Sequence, residues 1–176
     1  MPFTTLKDNG FYTGDSSYSI AWLALGNRTG GDSQFARTFL YLNGLPDGSV
    51  TPKQYNPFNV WKEAAESGMH LNFITGAGGF LQNIFNGYGG LRARADRLEF
   101  APLLPPKITM VRFRNLQYGG AVVSVEYNGV IMSVTLETAA ARPLRIVGGP
   151  LLAAGQPYTA PVAPFALSFS VTESNS

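Results

Sequence analysis

Glu63 and Glu66, three positions apart, are the first residues in this chain whose types and spacing could do chemistry. On a helix that spacing brings side chains roughly 5–6 Å from one another. Paired carboxyls at such a distance could run a glycosidase, but such a pair is more often a solvated helix start. Glu63 has the more unusual setting. It follows Pro57-Phe58-Asn59-Val60-Trp61-Lys62, so a large aromatic, Trp61, stands two positions before it. Sugar sites pair an aromatic platform, laid against the apolar face of the ring, with a carboxylate that acts on a proton or a water.

Other candidates carry less. His70 is the single imidazole, and no Gly-x-Ser-x-Gly elbow is present to make it part of a nucleophilic triad, so it reads as a structural or surface residue. Gly76-Ala77-Gly78-Gly79 could seat an anion on free amides ahead of a helix, but it lacks the Lys-Ser/Thr ending of a phosphate loop. It reads as a tight loop where backbone packs closely. Arg92 with Arg94, and Arg112 with Arg114, read as solvated strand faces.

Composition removes several classes. With no cysteine there is no disulfide framework, redox motif or thiolate metal site, and one His without a Cys/His cluster leaves no zinc site. No metal or cofactor is expected. No apolar run approaches the ~18 residues of a membrane span, and residues 1–7 lack the apolar core of a signal peptide. A net charge of +2 does not signal nucleic-acid binding. Charged residues are only 14% of the chain, which suggests that some surface is covered by another partner.

The elements that must position these residues change character near Gly89-Gly90. Before that point the periodicity is helical. Asp15-Ser16-Ser17 offers caps for a helix through Tyr18–Leu25, ended by Gly26-Asn27. Asp32 or Ser33 can cap a second, stopped by Asn43-Gly44. A third starts around Gly78, carries Phe80, Leu81, Ile84 and Phe85 as an apolar stripe, and stops at Gly87. After Gly90, five to seven short strands alternate with turn signals. The clearest are Ala121–Tyr127 and Val130–Leu136, joined by Asn128-Gly129, whose φ > 0 residues suit a hairpin. Pro157, Pro161 and Pro164 read as strand breakers. The fold class expected is α+β, with residues 1–90 helical and 91–176 a small antiparallel β-sandwich.

Three blocks carry a family resemblance: Tyr18-Ser19-Ile20-Ala21-Trp22-Leu23-Ala24-Leu25, then Asn56–Glu63, then Asn72-Phe73-Ile74-Thr75-Gly76-Ala77-Gly78-Gly79-Phe80-Leu81-Gln82. Gly87-Tyr88-Gly89-Gly90-Leu91-Arg92 continues it. Together they resemble the C-terminal part of glycoside hydrolase family 65, on the side of the acid trehalases and the protein-glucosylgalactosylhydroxylysine glucosidases. The resemblance implies the last helices of an (α/α)6 barrel in residues 1–90 and the family's C-terminal sandwich in 91–176. It also implies that Glu63, the glutamate of Trp-x-Glu, is a catalytic carboxylate, with Trp61 shaping the sugar pocket. The family's proton-donating glutamate belongs to an upstream motif that nothing here matches.

Length agrees with a partial barrel. Twelve helices of roughly 11–12 residues, with loops, need well over 200 residues, and residues 1–90 hold three or four. Met1 is then not the start of a working enzyme. The reading is a C-terminal fragment of an inverting hydrolase of α-glucosides, inactive alone, with an α-glucoside substrate and the upstream part of the same enzyme as its partners. The alternatives are a non-catalytic sandwich binding carbohydrate or protein, and a phosphorylase fragment. The carboxylate after Trp61 argues against the phosphorylase, which has no need of a base there.

Overall fold

The computed structural model describes residues 12–40 and 74–170, with side chains for 17–36 and 74–170. The chain divides into two compact units, residues 1–87 and 88–176.

In the first unit, α1 (Tyr12–Ala24) and α2 (Arg28–Leu40) meet at a tight corner. Gly26 makes the corner with φ +75°; its amide bonds to Leu23 O at 3.0 Å and the Asn27 amide to Trp22 O at 2.9 Å. These two bonds satisfy the last carbonyls of α1 around a left-handed residue. Asn27 then caps α2, its Oδ1 accepting from the Gly30 amide at 2.9 Å. The caps expected from the sequence are therefore corrected. Asp15-Ser16-Ser17 lies inside α1, and Asp32 lies inside α2, where it pairs with Arg28 at 3.2 Å across one turn. Asn27 takes the cap because it directly follows the glycine that ends α1.

Small residues let α1 and α2 approach. A Cβ on Gly31 would stand 2.6 Å from the Leu23 side chain, and Ser19 Oγ donates to Gly31 O at 2.9 Å. Leu23 and Phe35 are the buried apolar side chains among the described residues of these two helices. The third helix, α3 (Ile74–Gln82), passes without a break into a wider π-helical turn, Asn83–Tyr88. Phe80 of α3 stacks on Phe35 of α2 with ring centroids 5.5 Å apart. The expected apolar stripe divides: Phe80 and Ile84 are half-buried, while Leu81 and Phe85 are exposed.

The second unit holds two four-stranded antiparallel sheets. One has the order β1 (Arg92–Ala93), β2 (Arg97–Phe100), β8 (Phe165–Phe169), β6 (Leu144–Ile146). The other runs β3 (Val111–Tyr118), β4 (Ala121–Tyr127), β5 (Ile131–Thr138), β7 (Pro157–Pro161). Alternation drives both. Ala121, Val123, Val125 and Tyr127 of β4 are buried, as are Met132, Val134 and Leu136 of β5, Leu98 and Phe100 of β2, and Leu144 and Ile146 of β6. The two sheets meet where Tyr118 of β3 stacks on Phe169 of β8 at 5.2 Å. Gly119, with φ +54°, leaves room for that ring: a Cβ there would fall 2.2 Å from Phe169.

Two strand expectations change. Pro157 and Pro161 bound a strand instead of breaking one, because β7 lies at the sheet edge, where a missing amide costs no ladder bond. In the β4–β5 hairpin only Gly129 has positive φ, +85°. Asn128 contributes through its side chain, Oδ1 accepting from the Val130 and Ile131 amides at 3.1 and 2.9 Å. The mixed architecture, α+β, is the one expected.

Candidate functional site

Glu63, Trp61, Glu66 and His70 lie outside the described residues. Their flanks are described: α2 ends at Leu40 and α3 begins at Ile74. The Gly76-Ala77-Gly78-Gly79 run is not a loop ahead of a helix but part of α3 itself, with Gly76 buried. Its amides beyond the first turn are therefore committed to helical pairing, so the tight loop expected here is corrected to helix, and the anion seat already disfavoured there finds no loop ahead of a helix to occupy. Downstream, the π turn brings Asn83, a polar side chain with no solvent exposure, beside Gly87; a Cβ on Gly87 would stand 3.2 Å from both Asn83 Oδ1 and Leu23. Sequence reading assigned no role to Asn83, since nothing in the residue pattern marks a helix that widens.

In the second unit the titratable groups gather on two sheet surfaces. Glu99 of β2 accepts from Arg97 Nε at 2.8 Å and from Arg94 Nε at 2.9 Å. The hydrogen bonds from Arg97 and then Arg94 hold its carboxyl below the ordinary carboxylate range. Arg97 also reaches Asp96 at 3.2 Å. A carboxylate so held stays ionised at neutral pH and is unsuited to donating a proton. On the other sheet, Arg112 pairs with Glu126 directly across the β3–β4 ladder. Its bond to Glu126 raises the Arg112 pKa further.

One buried group fastens the start of this unit. The Tyr127 hydroxyl donates towards Leu103 O at 3.0 Å and Tyr88 O at 3.3 Å, and the Leu103 amide bonds to Tyr88 O as well. Burial pushes the Tyr127 phenol well above its usual range, so it remains a donor. At the other end of β4, Arg142 lies over the Phe169 ring, 4.8 Å from its centroid. Among the described residues no group of three or more His, Cys, Asp or Glu is placed to hold a metal ion, and no helix is long and apolar enough to cross a membrane.

Comparison with known proteins finds similarity to one family. Residues 91–152 match "Glycosyl hydrolase family 65, C-terminal domain". The protein-glucosylgalactosylhydroxylysine glucosidase of Dictyostelium discoideum is 33% identical over 123 residues, covering 70% of this chain and 16% of its own length. That of Mus musculus is 32% identical over 129 residues, 73% of this chain and 17% of its own. The chain thus spans less than a fifth of the length of these curated relatives. A solved structure named "Putative kojibiose phosphorylase from human microbiome" aligns over 92% of this chain and 20% of that one, with a TM-score of 0.49 and 16% identity. By the domain match and the curated relatives, this chain resembles the C-terminal part of glycosyl hydrolase family 65, with residues 91–152 as the family's C-terminal domain.

Proposed function

We propose that this chain is the C-terminal part of an inverting hydrolase of α-glucosides, in which Glu63 is the general base. One observation carries the reading. A 123-residue match within 176 residues must include residues 54–123 wherever it begins, so Trp61 and Glu63 fall inside the stretch shared with a glucosidase. The relatives' names make a glucosylgalactosyl-hydroxylysine disaccharide the first α-glucoside to test, with trehalose beside it.

In this reading residues 1–90 supply the last helices of an (α/α)6 barrel, and 91–176 form the sandwich that follows it. Exposed Leu25, Ile74 and Leu81, at 78, 83 and 56%, support a helical surface made to be covered by upstream helices. The chemistry needs two carboxyls about 6.5–9.5 Å apart. A glutamic acid from the upstream region protonates the leaving oxygen. Glu63 takes a proton from water, whose oxygen attacks the anomeric carbon from the opposite face. Trp61 packs on the glucose ring beside it. The reaction calls for no metal or cofactor, and the chain alone, holding half of the pair, does not turn over.

The test is to join the chain to the upstream region of a family relative and assay glucose release. Loss of hydrolysis on Glu63→Gln is expected. Unchanged hydrolysis would remove Glu63 from the mechanism.

A further inference from the structure

The outer face of the β1-β2-β8-β6 sheet carries a row of residues that no part of the proposed reaction uses. Register sets it. Arg97 stands directly opposite Ser168, and Ser168 directly opposite Arg145. Directly opposed residues in an antiparallel pair share a face, and Leu98, Leu167 and Ile146 between them are buried on the other. The Arg94 amide bonds to Arg97 O, which extends the row by one strand. The row therefore reads Arg94, Arg97, Ser168, Arg145, about 14 Å across at the ordinary strand spacing.

Its relief and charge are uneven. The residues on β8, Ala166 and Ser168, are short, and the arginines on both sides are long, so β8 is the floor of a shallow trough. Arg97 and Arg145 stand about 10 Å apart at the backbone on its two walls. Glu99 and Asp96 compensate only the β1–β2 side, around Arg94 and Arg97. Across the floor the Arg145 guanidinium, exposed, meets a neutral partner, Gly149 O, at 3.1 Å. With Arg92 opposite Glu99 on the same face, four guanidiniums face two carboxylates. The Arg97 and Arg145 guanidiniums each have five N–H donors in a planar fork, more than their bonds to Glu99, Asp96 and Gly149 O consume, and Ser168 adds a hydroxyl between them.

The geometry points to a binding surface for an acidic glycan, with a sulfate or phosphate ester seated over Ser168 between Arg97 and Arg145. Tetrahedral oxyanions match forked guanidinium donors. The row is longer than one such ion, which favours esters carried on a chain over a free ion. The other apolar outward residues described on this face, Ala166, Val147 and Leu151, the last opposite Arg145, offer no ring on which a nucleic-acid base could stack, so a polynucleotide is the poorer fit.

The test uses the full 176-residue chain and a fluorescently labelled sulfated octasaccharide at physiological salt. Arg145→Gln should weaken binding about tenfold and Ser168→Ala, which alters no charge, about threefold. Arg114→Gln, the same loss of charge on the other sheet, should change it by about twofold or less. Inorganic sulfate at matched ionic strength and a single-stranded oligothymidylate of equal charge are the competing arms. The proposal is overturned if Arg145→Gln costs no more than Arg114→Gln, or if Ser168→Ala costs nothing. It is equally overturned if inorganic sulfate or oligothymidylate binds as tightly as the octasaccharide.

Discussion

Replacing Tyr127 by Phe removes one oxygen from a buried anchor of the sheet unit. The ring is 1% exposed and keeps its contact with Phe113, 6.3 Å between centroids, so packing is conserved. What is lost is the hydroxyl that donates towards Leu103 O at 3.0 Å and Tyr88 O at 3.3 Å. Tyr88 O retains the Leu103 amide, whereas Leu103 O loses this donor. Withdrawing the partner of a buried acceptor costs about 1–3 kcal/mol. In a unit of this size, each kcal/mol lowers Tm by about 4–8 °C. Urea and thermal unfolding followed by far-UV circular dichroism give the stability. Amide exchange at Leu103 and Ala101, which bond to Tyr88 O and Gly89 O, reports the incoming segment directly. Both amides should exchange faster in the variant. The phenol's raised pKa makes the contribution complete at neutral pH and lost only as pH rises into strong alkali. A variant within about 0.5 kcal/mol of the wild type, with exchange unchanged, would refute the fastening role.

Two further outcomes follow from single positions. Gly119→Ala places a Cβ against Phe169 at a positive φ, and should destabilise the sheet unit by about 2–3 kcal/mol in urea titrations. Glu99→Gln should lower stability at neutral pH. Because the folded carboxyl is held below its usual range, the wild type's advantage exists above the ordinary carboxylate pKa of about 4 and disappears as pH falls further, so the two urea midpoints should converge in acid. A gap that stays constant down to pH 2 would mean that the Arg94 and Arg97 bonds do not depend on that charge.

What could be read from the sequence was what local pattern determines. The alternation in Ala121–Tyr127 produced β4 with its bounds intact, since every second residue points into the core. Gly26 ended α1 because only a left-handed residue closes that turn cheaply. Helix starts misled, because Asp15-Ser16-Ser17 and Asp32 have the side chains of caps but sit within helices whose beginnings are fixed elsewhere, in α2 by Asn27. Strand β7 was missed because prolines are tolerated at an edge, and whether a strand lies at an edge is decided by residues far along the chain. The Arg97–Ser168–Arg145 row is invisible in sequence for the same reason: β8 enters between β2 and β6 from about seventy residues beyond β2, a pairing that no short-range spacing encodes. The proposed catalytic position, Glu63 beside Trp61, came from residue types and family resemblance alone.

The most direct measurement is the rate of glucose release from an α-glucoside by the chain joined to the upstream region of a family relative, compared with the same protein carrying Glu63→Gln. Loss of a general base predicts a fall of about 10²–10⁴-fold in kcat with the substrate still bound, and no sugar phosphate formed when phosphate is added. Full hydrolysis by the Glu63→Gln protein, or phosphate-dependent release of a sugar phosphate by the wild type, would contradict the account.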